Sequence, residues 1–486
     1  MILGMEVYYE LIEEGLVRLG PNLPVLQQTV LGWVVSGKIG SATTPTVRVA
    51  HLCSADQLEA QLARFWELES CYSSSTLSLE EALCESHFAS TTTRDVNGRF
   101  IVQLPKRAIV FPTLGSSTEV ATRRFLSMER RLESNPALKE AYSSIIEEYF
   151  RLGHMIQAPE SSGSPSYFLP HPCVIKPDSV TTKLRVVFDA SCATNTGVSL
   201  NDALMVGPVV QEDLLSIVLR FRMSRYAIIS DIEKMFRQIV VDPSDRPLQQ
   251  ILRRNMPQEP LHAFQLTTVT YGTSFAPYLA TRCLQELSKA GKITHPQAAK
   301  VLAANFYIDD LLTSESSIPE GRQLCSQLQE LLQSAGFCLR KWSSNCPLIL
   351  QDLSPDLLDE RTLLDLESSS APIKTLGLQW QTTTDQLLFS VPKWSETAPI
   401  TKRVVLSDAS KLFDPLGLVG PVIVQAKIYL QELWRIQKSW DEPLEHDLQT
   451  KWREFKHSLE ALRNIHIPRW VIPMQAPNCI HGARIL

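Results

Sequence analysis

Several features are missing from this sequence, and each absence narrows the class of protein. The 10 cysteines include no CxxC pair, which argues against zinc ribbons and thioredoxin-like redox sites and favours free thiols in a reducing compartment. No apolar run approaches the roughly 18 residues of a membrane span. The N-terminus lacks the basic segment that begins a signal peptide. We therefore expect an intracellular protein without a membrane partner.

What is present is the composition of a soluble globular protein. The chain has 486 residues, of which 44% are hydrophobic and 20% charged, enough for a substantial core and roughly three domains. No internal repeat is found. The formal net charge of -5, averaged over the chain, argues against a nucleic-acid partner, because such proteins usually carry basic patches.

The hydrophobic pattern predicts a chain that mixes helices and strands. Segments 31–37 and 100–104 have the pattern of short buried strands, and a helix is expected to start after Ser78 as its N-cap. From about residue 167 strands and helices alternate, with strands predicted over 184–188, 226–230 and 239–241. Apolar residues at helical spacing predict further helices over 58–66, 121–152, 276–290, 319–335, 419–440 and 447–463.

Carboxylates occur at the ends of two predicted strands. Asp231 follows the buried strand 226–230, and Asp309 and Asp310 lie in a tight hairpin after an aromatic strand. Carboxylates that a sheet brings together are what a two-metal phosphoryl-transfer site requires, because Mg²⁺ takes one or two carboxylates plus phosphate oxygens. Spacing alone fits purely structural roles as well, since Asp231 suits a helix N-cap and Asp-Asp is common in turns.

The residues around these carboxylates form a series of ordered motifs. Tyr307-Ile308-Asp309-Asp310 has the form of a Tyr-x-Asp-Asp box, and Asp231 is followed by Phe236. The other motifs are Leu184–Ser191, Ser199–Asp202, Tyr271-Gly272 with Ala276-Pro277, Gly336-Phe337 with Arg340–Trp342, and Leu376–Trp380. In content and order they resemble the reverse transcriptase of BEL/Pao long-terminal-repeat retrotransposons.

The resemblance implies an α+β fold, a right-hand polymerase with fingers, palm and thumb. Its palm would be an antiparallel sheet packed on helices, and a small β-rich protease remnant would precede it. The implied domains are a C-terminal remnant of the aspartic protease over 1–40, an N-terminal extension and linker over 41–140, fingers and palm over 141–345, a primer-grip region over 346–390, and thumb and connection over 391–486, ending before RNase H.

The activity implied by the resemblance is RNA-directed DNA synthesis, with two-metal nucleotidyl transfer from a dNTP to a primer 3′-hydroxyl. Asp231 and Asp309 would bind two Mg²⁺ ions, for which Mn²⁺ can substitute, and Asp310 would support them. The partners would be the dNTP and an RNA or DNA template with its primer. The expected location is a cytoplasmic particle or the nucleus, and the oligomeric state stays open.

Other residues receive roles from the same resemblance. Phe236 would be a steric gate against a ribose 2′-hydroxyl, Arg185 and Lys183 would hold the triphosphate, and Lys341 would protonate the leaving pyrophosphate. From the residues alone, Phe236 suits a core position equally well, and Lys183 and Lys341 suit solvated surface charges. The remaining assignments are Tyr271 and Gly272 in the nucleotide pocket, and Leu376, Gly377 and Trp380 in the primer grip.

Two other functions stay open at this stage: an inactive relic that binds nucleic acid or nothing, and an aspartic peptidase. The peptidase is disfavoured, because the sequence contains no Asp-Thr-Gly or Asp-Ser-Gly tripeptide to supply a catalytic carboxylate.

The uneven distribution of charge along the chain removes the objection to a nucleic-acid partner. Residues 1–98 hold 12 acidic and 5 basic residues and residues 311–370 hold 9 and 4, which leaves 31 acidic and 38 basic elsewhere.

Overall fold

The computed structural model describes residues 12–18, 25–29, 32–36, 77–159, 165–175, 184–359, 372–389, 391, 394 and 399–471. The chain divides into two units, Met1–Ser75 and Thr76–Leu486. The first contains an antiparallel sheet of β1 (Ile12–Arg18), β2 (Val25–Thr29) and β3 (Gly32–Ser36), in that order. This confirms the strand predicted over 31–37. The interpretation of 1–40 as a protease remnant stays a prediction, and the helix predicted over 58–66 lies outside the described residues.

The second unit is a mixed α+β structure, as predicted. Its helices are α1 (Leu79–Thr91), α2 (Thr118–Glu133), α3 (Pro136–Arg151), α4 (Leu200–Ala203), α5 (Leu214–Phe221), α6 (Ala276–Gly291), α7 (Pro296–Ala304), α8 (Ile318–Gln333), α9 (Lys402–Ala409), α10 (Gly420–Trp434) and α11 (His446–Ser458). Its strands are β4 (Thr93–Arg94), β5 (Phe100–Val102), β6 (Met155–Gln157), β7 (Cys173–Ile175), β8 (Leu184–Val186), β9 (Tyr226–Ile232), β10 (Val240–Val241), β11 (Gln250–Arg253), β12 (His262–Leu266), β13 (Phe306–Tyr307), β14 (Asp310–Glu315), β15 (Leu339–Ser344), β16 (Ile373–Thr375), β17 (Leu378–Gln381), β18 (Gln386–Leu388) and β19 (His466–Pro468). Among the described residues, no helix is both long and apolar enough to cross a membrane.

Local capping chemistry fixes the start of several helices. Ser78 caps α1 as predicted, and it exchanges hydrogen bonds with Glu81 in a capping box. The prediction of one helix over 121–152 is wrong, because α2 and α3 are separate. Pro136 has no N–H to donate and disfavours a helical residue before it, so Asn135 leaves the helix and caps α3 through Leu138 N–H.

The centre of this unit is a four-stranded antiparallel sheet in the order β13-β14-β9-β15. Successive residues of a strand face opposite sides of a sheet. Along β9, Ile228 and Ile232 belong to the large core that contains α6 and α8, whereas Ala227 and Ile229 belong to a smaller core with α5. The sheet is therefore buried on both faces, which explains why the strand is a continuous apolar run from Tyr226 to Ile229.

A second antiparallel sheet, in the order β16-β17-β18-β19, packs on the α5 side of the central sheet. Its last strand, β19, arrives only after α9, α10 and α11, and it pairs with β18. The boundary predicted at residue 390 therefore runs through one continuous sheet. The helices predicted over 419–440 and 447–463 are shorter in the structure, which ends them at Trp434 and Ser458.

Candidate active site

The central sheet brings the predicted carboxylates together. Asp231 is the sixth residue of β9 and Asp310 the first of β14, and the two are directly opposite each other in the antiparallel ladder. Strand alternation places both on the face that carries the smaller core and the β16–β18 strands, just beyond the last apolar pair. Like charges directly opposite each other destabilise a sheet, so packing alone does not account for this pair.

Asp309 lies beside them in a strained two-residue turn. Tyr307 pairs with Asp310, so Ile308 and Asp309 form the loop, and the Asp309 carbonyl accepts a 2.8 Å hydrogen bond from Ile232 N–H. Ile308 has φ 56°, which is costly for a β-branched residue. The side-chain oxygen of Gln211 accepts a 3.0 Å hydrogen bond from Ile308 N–H and holds this turn. Such strain is concentrated at functional sites.

The electrostatics of the three carboxylates show an excess of negative charge. Burial, with the charges of Asp309 and Asp231, raises the pKa of Asp310 to about 7. Burial and the charge of Asp231 likewise raise the pKa of Asp309 above its usual range. Oδ1 of Asp231 is buried and has no hydrogen-bond partner among the described residues. A cation placed here would therefore be strongly stabilised.

Lys341 supplies one positive charge to this site. Between Arg340 and Ser343 the register of β15 against β9 shifts, and Lys341 adopts φ 54° in the resulting bulge. Its Nζ lies 2.6 Å from Oδ2 of Asp231, while the Ser230 hydroxyl donates a 2.8 Å hydrogen bond to the Arg340 carbonyl. The structure therefore places Lys341 against the carboxylates, although the lysine stays half exposed. Its transfer of a proton to pyrophosphate stays a prediction.

The donor set fits a metal that is shared with a ligand. Among the described residues, no group of three or more His, Cys, Asp or Glu side chains is arranged to hold a metal ion by itself. Mg²⁺ is usually bound by one or two carboxylates plus substrate phosphates and water, and not by a cage made of protein alone. The buried, unpaired Oδ1 of Asp231 beside Asp309 and Asp310 is the kind of donor that such an ion would satisfy.

Phe236 lies just past β9, in the 3₁₀ turn Met235–Gln238. The turn starts at Lys234, which has φ 51° and forms an ion pair with Glu148 of α3. Next to Phe236, the guanidinium of Arg237 lies 4.8 Å from the ring centroid of Tyr149. These contacts fix the turn to α3, while Phe236 itself is half-buried against the large core. Phe236 therefore contributes to the core, and its role as a steric gate stays a prediction.

Tyr271 and Gly272 are fixed to the residues that follow β8. The Tyr271 hydroxyl donates a 2.6 Å hydrogen bond to the Val186 carbonyl, and its ring lies 5.4 Å from that of Phe188 in an edge-to-face contact. Arg185 is exposed on β8, opposite Val174 of β7. Lys183 lies outside the described residues. The strand proposed to hold a triphosphate and the pocket residues therefore belong to one packed unit.

Replacing Gly272 with alanine is expected to lower the free energy of unfolding by about 2–5 kcal/mol. Gly272 has φ 92°, and a Cβ atom there would lie 2.4 Å from the Phe188 carbonyl oxygen. Gly197 is the matched control, because it has φ 84° but no atom within 4 Å of its Cβ position. Gly197→Ala should cost only the backbone penalty of about 1–2 kcal/mol. Equal losses in urea unfolding of the two variants would contradict this account.

The predicted primer-grip residues form a hairpin with a defined turn. Leu376 has φ 46° and Gly377 φ 81°, the two positive values of a type I′ turn between β16 and β17. A Cβ on Gly377 would lie 2.1 Å from the Phe413 ring, so this tip rests against the segment after α9. Trp380 needs a correction, because it is fully buried and donates a 3.0 Å hydrogen bond to Asp385. It can support the hairpin but not touch a primer.

Sequence reasoning missed the residues that position the carboxylates. Gln211, which holds the turn at Ile308, precedes α5 and has no recognisable motif around it. Glu233 forms a 2.7 Å ion pair with Arg340 and thereby stabilises the bulged strand. The sequence of residues 231–234, Asp-Ile-Glu-Lys, shows that this segment is charged, but it does not show which residues pair with those charges.

One comparison with known proteins, a family-model match, agrees with the resemblance inferred from the sequence. A family model described as "Pao retrotransposon-like RNaseH-like domain" matches residues 401–481. Among solved structures, the chain is similar to the foamy viral protease-reverse transcriptase in complex with an RNA/DNA hybrid, at a TM-score of 0.44 and 14% identity. That alignment covers 67% of this chain and 37% of the foamy viral chain. No curated protein matches the chain.

The match of residues 401–481 supports the resemblance to a Pao retrotransposon polyprotein that the motifs indicated. The description of the matched model differs from our interpretation of 391–486 as thumb and connection. Within the described part of that segment, the structure has α9, α10, α11 and β19. The assignment to thumb and connection stays a prediction.

Proposed function

We propose that this chain is an RNA-directed DNA polymerase that joins a dNTP to a primer 3′-hydroxyl on an RNA or DNA template. The observation that carries the proposal is the placement of Asp231 and Asp310 opposite each other on one face of the central sheet, with Asp309 in the adjoining turn. Three carboxylates in one place are unfavourable for the fold alone and favourable for binding cations.

The proposed cofactor is a pair of Mg²⁺ ions, for which Mn²⁺ can substitute. Asp231 and Asp309 would hold them, with Asp310 in support. Bound there, the ions would neutralise charge on the attacking and leaving oxygens of the nucleotidyl transfer. The protein itself positions the carboxylates. Ile232 N–H donates a hydrogen bond that fixes the Asp309 backbone, and the Gln211 side chain fixes the turn at Ile308. Burial, together with the charges of the neighbouring carboxylates, raises the pKa values of Asp309 and Asp310, and such cations would balance that negative charge.

The other residues would act on the substrate around this centre. Lys341, already 2.6 Å from Asp231, is placed to stabilise or protonate a leaving pyrophosphate. Arg185, exposed on β8, is suited to bidentate contact with a triphosphate. Phe236 would exclude a ribose 2′-hydroxyl. The hairpin tip, with Gly377 exposed and Leu376 half-buried against the smaller core, lies on the same side of the central sheet as the carboxylates and would contact the primer strand.

The fold assignments accompany this proposal. The four-stranded sheet with its helices would be the palm, the β7–β8 ribbon part of the fingers, and residues 391–486 thumb and connection. The protease remnant over 1–40 belongs to the same proposal. Right-hand polymerases place the carboxylates at the base of a cleft, which agrees with their position at the end of an otherwise apolar sheet face.

Primer extension tests the proposed function directly. The purified chain is mixed with an oligo-dT primer on a poly-rA template, dTTP and Mg²⁺ or Mn²⁺, and product length is followed on a gel. We expect template-dependent extension that stops when a chelator is added. Retained binding of the primer–template without extension under either metal would reject the polymerase and favour a non-catalytic relic.

A further inference from the structure

A basic groove lies on α2, away from the carboxylates. Arg124, Ser127 and Arg131 share one face of this helix, because their spacing of three and four residues brings them round to the same side. Across from them lie Pro172 and Cys173, which lead into β7, and a cavity of about 340 Å³ separates the two sides. We call this feature the α2 groove. Its volume is within the range of sites that hold small molecules or single nucleotides.

Positive charge dominates the α2 groove because nearby acids are already paired. Glu129 accepts two hydrogen bonds, of 2.8 and 2.6 Å, from the guanidinium of Arg254. Glu133 forms a 2.7 Å ion pair with Lys139. Arg124 forms an ion pair of 2.5 Å with Asp189 and stays half exposed. Arg131 is exposed and has no ion pair with any residue that the structure describes. The groove therefore offers at least one cation without an internal partner.

The floor of the α2 groove is apolar and uncharged. Phe125 and Met128 point from α2 into the core beneath it. His171 lies beside them, stacked at 5.9 Å on Phe125 and hydrogen-bonded to the Tyr142 hydroxyl at 2.8 Å. Burial lowers the pKa of His171 to about 4, so the ring is neutral at physiological pH. An apolar floor under a cationic rim suits a base with its phosphate.

One border of the α2 groove belongs to the same ribbon as the residue proposed to hold the triphosphate. Cys173 begins β7, and the next residue, Val174, is exposed and pairs across the ribbon with Arg185. Ile175 beside it is exposed as well. The β7–β8 ribbon that borders the α2 groove at Cys173 therefore also carries Arg185 and two exposed apolar side chains. This combination is what single-stranded nucleic acids use, because their bases stack on apolar surfaces while basic side chains track the backbone.

We propose that the α2 groove binds the single-stranded part of the template ahead of the primer–template junction. Arg124 and Arg131 contact its phosphates, and the cavity receives a base. This inference rests on the proposed function, since a template is present only if the chain is a polymerase. It assigns a partner-binding role to α2, which precedes every motif of the polymerase resemblance.

The test measures binding without dNTP, so it does not depend on catalysis. Fluorescence anisotropy compares a blunt primer–template duplex with one that has a 12-nucleotide 5′ template overhang, over a range of salt concentrations. For the wild type, the overhang should increase affinity. Arg131→Gln should reduce that increase about five- to tenfold and lower the magnitude of the salt slope by about 0.7. Ser127→Trp, which fills the cavity without changing charge, should also reduce it.

Arg130→Gln is the matched control, because Arg130 is exposed on the same helix but points away from the groove. It should bind the overhang like the wild type. Equal losses for Arg130→Gln and Arg131→Gln, or equal losses on the blunt duplex, would overturn the proposed groove while primer extension still stands. If the wild type does not extend primers but Arg131→Gln selectively weakens overhang binding, the polymerase proposal and the template role both fail, and the groove is a binding site for single-stranded nucleic acid only.

Discussion

Asp309→Asn should abolish primer extension and leave the fold at least as stable as the wild type. The amide has the same shape but loses the charge that would hold a divalent ion, so we expect extension to fall by about 10³-fold or more. Stability should not fall, because burial and the charge of Asp231 raise the pKa of Asp309 and thus disfavour its ionised form in the folded state. Single-turnover extension and thermal unfolding measure the two effects.

Asp231→Asn should have the same effect on synthesis, although it also removes the partner of Lys341. Asp447→Asn is the control, because Asp447 is almost fully exposed and its contact with His446 is a distant 3.9 Å. Both catalytic variants should still bind a primer–template, since they keep the basic surfaces. Persistent synthesis in both Asp231→Asn and Asp309→Asn would eliminate the assignment of this site.

Arg469→Ala should destabilise the second sheet by about 3–5 kcal/mol. Arg469 is fully buried, forms a two-point ion pair of 2.7 and 2.9 Å with Asp385, and donates to the carbonyls of Phe221, Ser224 and Arg225. Removing it takes the cation away from the Asp385 carboxylate and the guanidinium donor away from all three carbonyls, although Trp380 still donates to Asp385 and Asn345 to the Arg225 carbonyl. Hydrogen exchange of segment 373–388 should increase, because β19 no longer holds β18.

Arg403→Ala is the matched control for this prediction. Arg403 also forms a two-point ion pair, at 2.6 and 3.0 Å with Asp441, but both side chains are largely exposed. Exposed pairs contribute little to stability, so its unfolding midpoint should remain close to the wild type. Equal shifts in midpoint for Arg403→Ala and Arg469→Ala would show that β19 does not anchor the sheet.

The prediction from sequence was strongest where local chemistry decides the conformation. Ser78 and Glu81 form the expected capping box. Spacing alone left structural roles open for Asp231 and Asp310, and it was the motif resemblance that implied a shared site; the structure pairs the two residues across β9 and β14. The prediction of a single helix over 121–152 is wrong because apolar residues continue at helical spacing across Pro136. That spacing hides the end of one helix and the start of the next at this proline.

What the sequence by itself determined about this protein is its resemblance to the Pao retroelements, its mixed fold and the identity of its candidate carboxylates. Only the tertiary structure decided which face of the sheet these carboxylates share, that a bulge turns Lys341 toward Asp231, and that Trp380 is buried. It also joined Asp385 to Arg469, which are 84 residues apart. The reason is that motifs and caps depend on neighbours along the chain, whereas ion pairs and burial depend on which distant elements pack together.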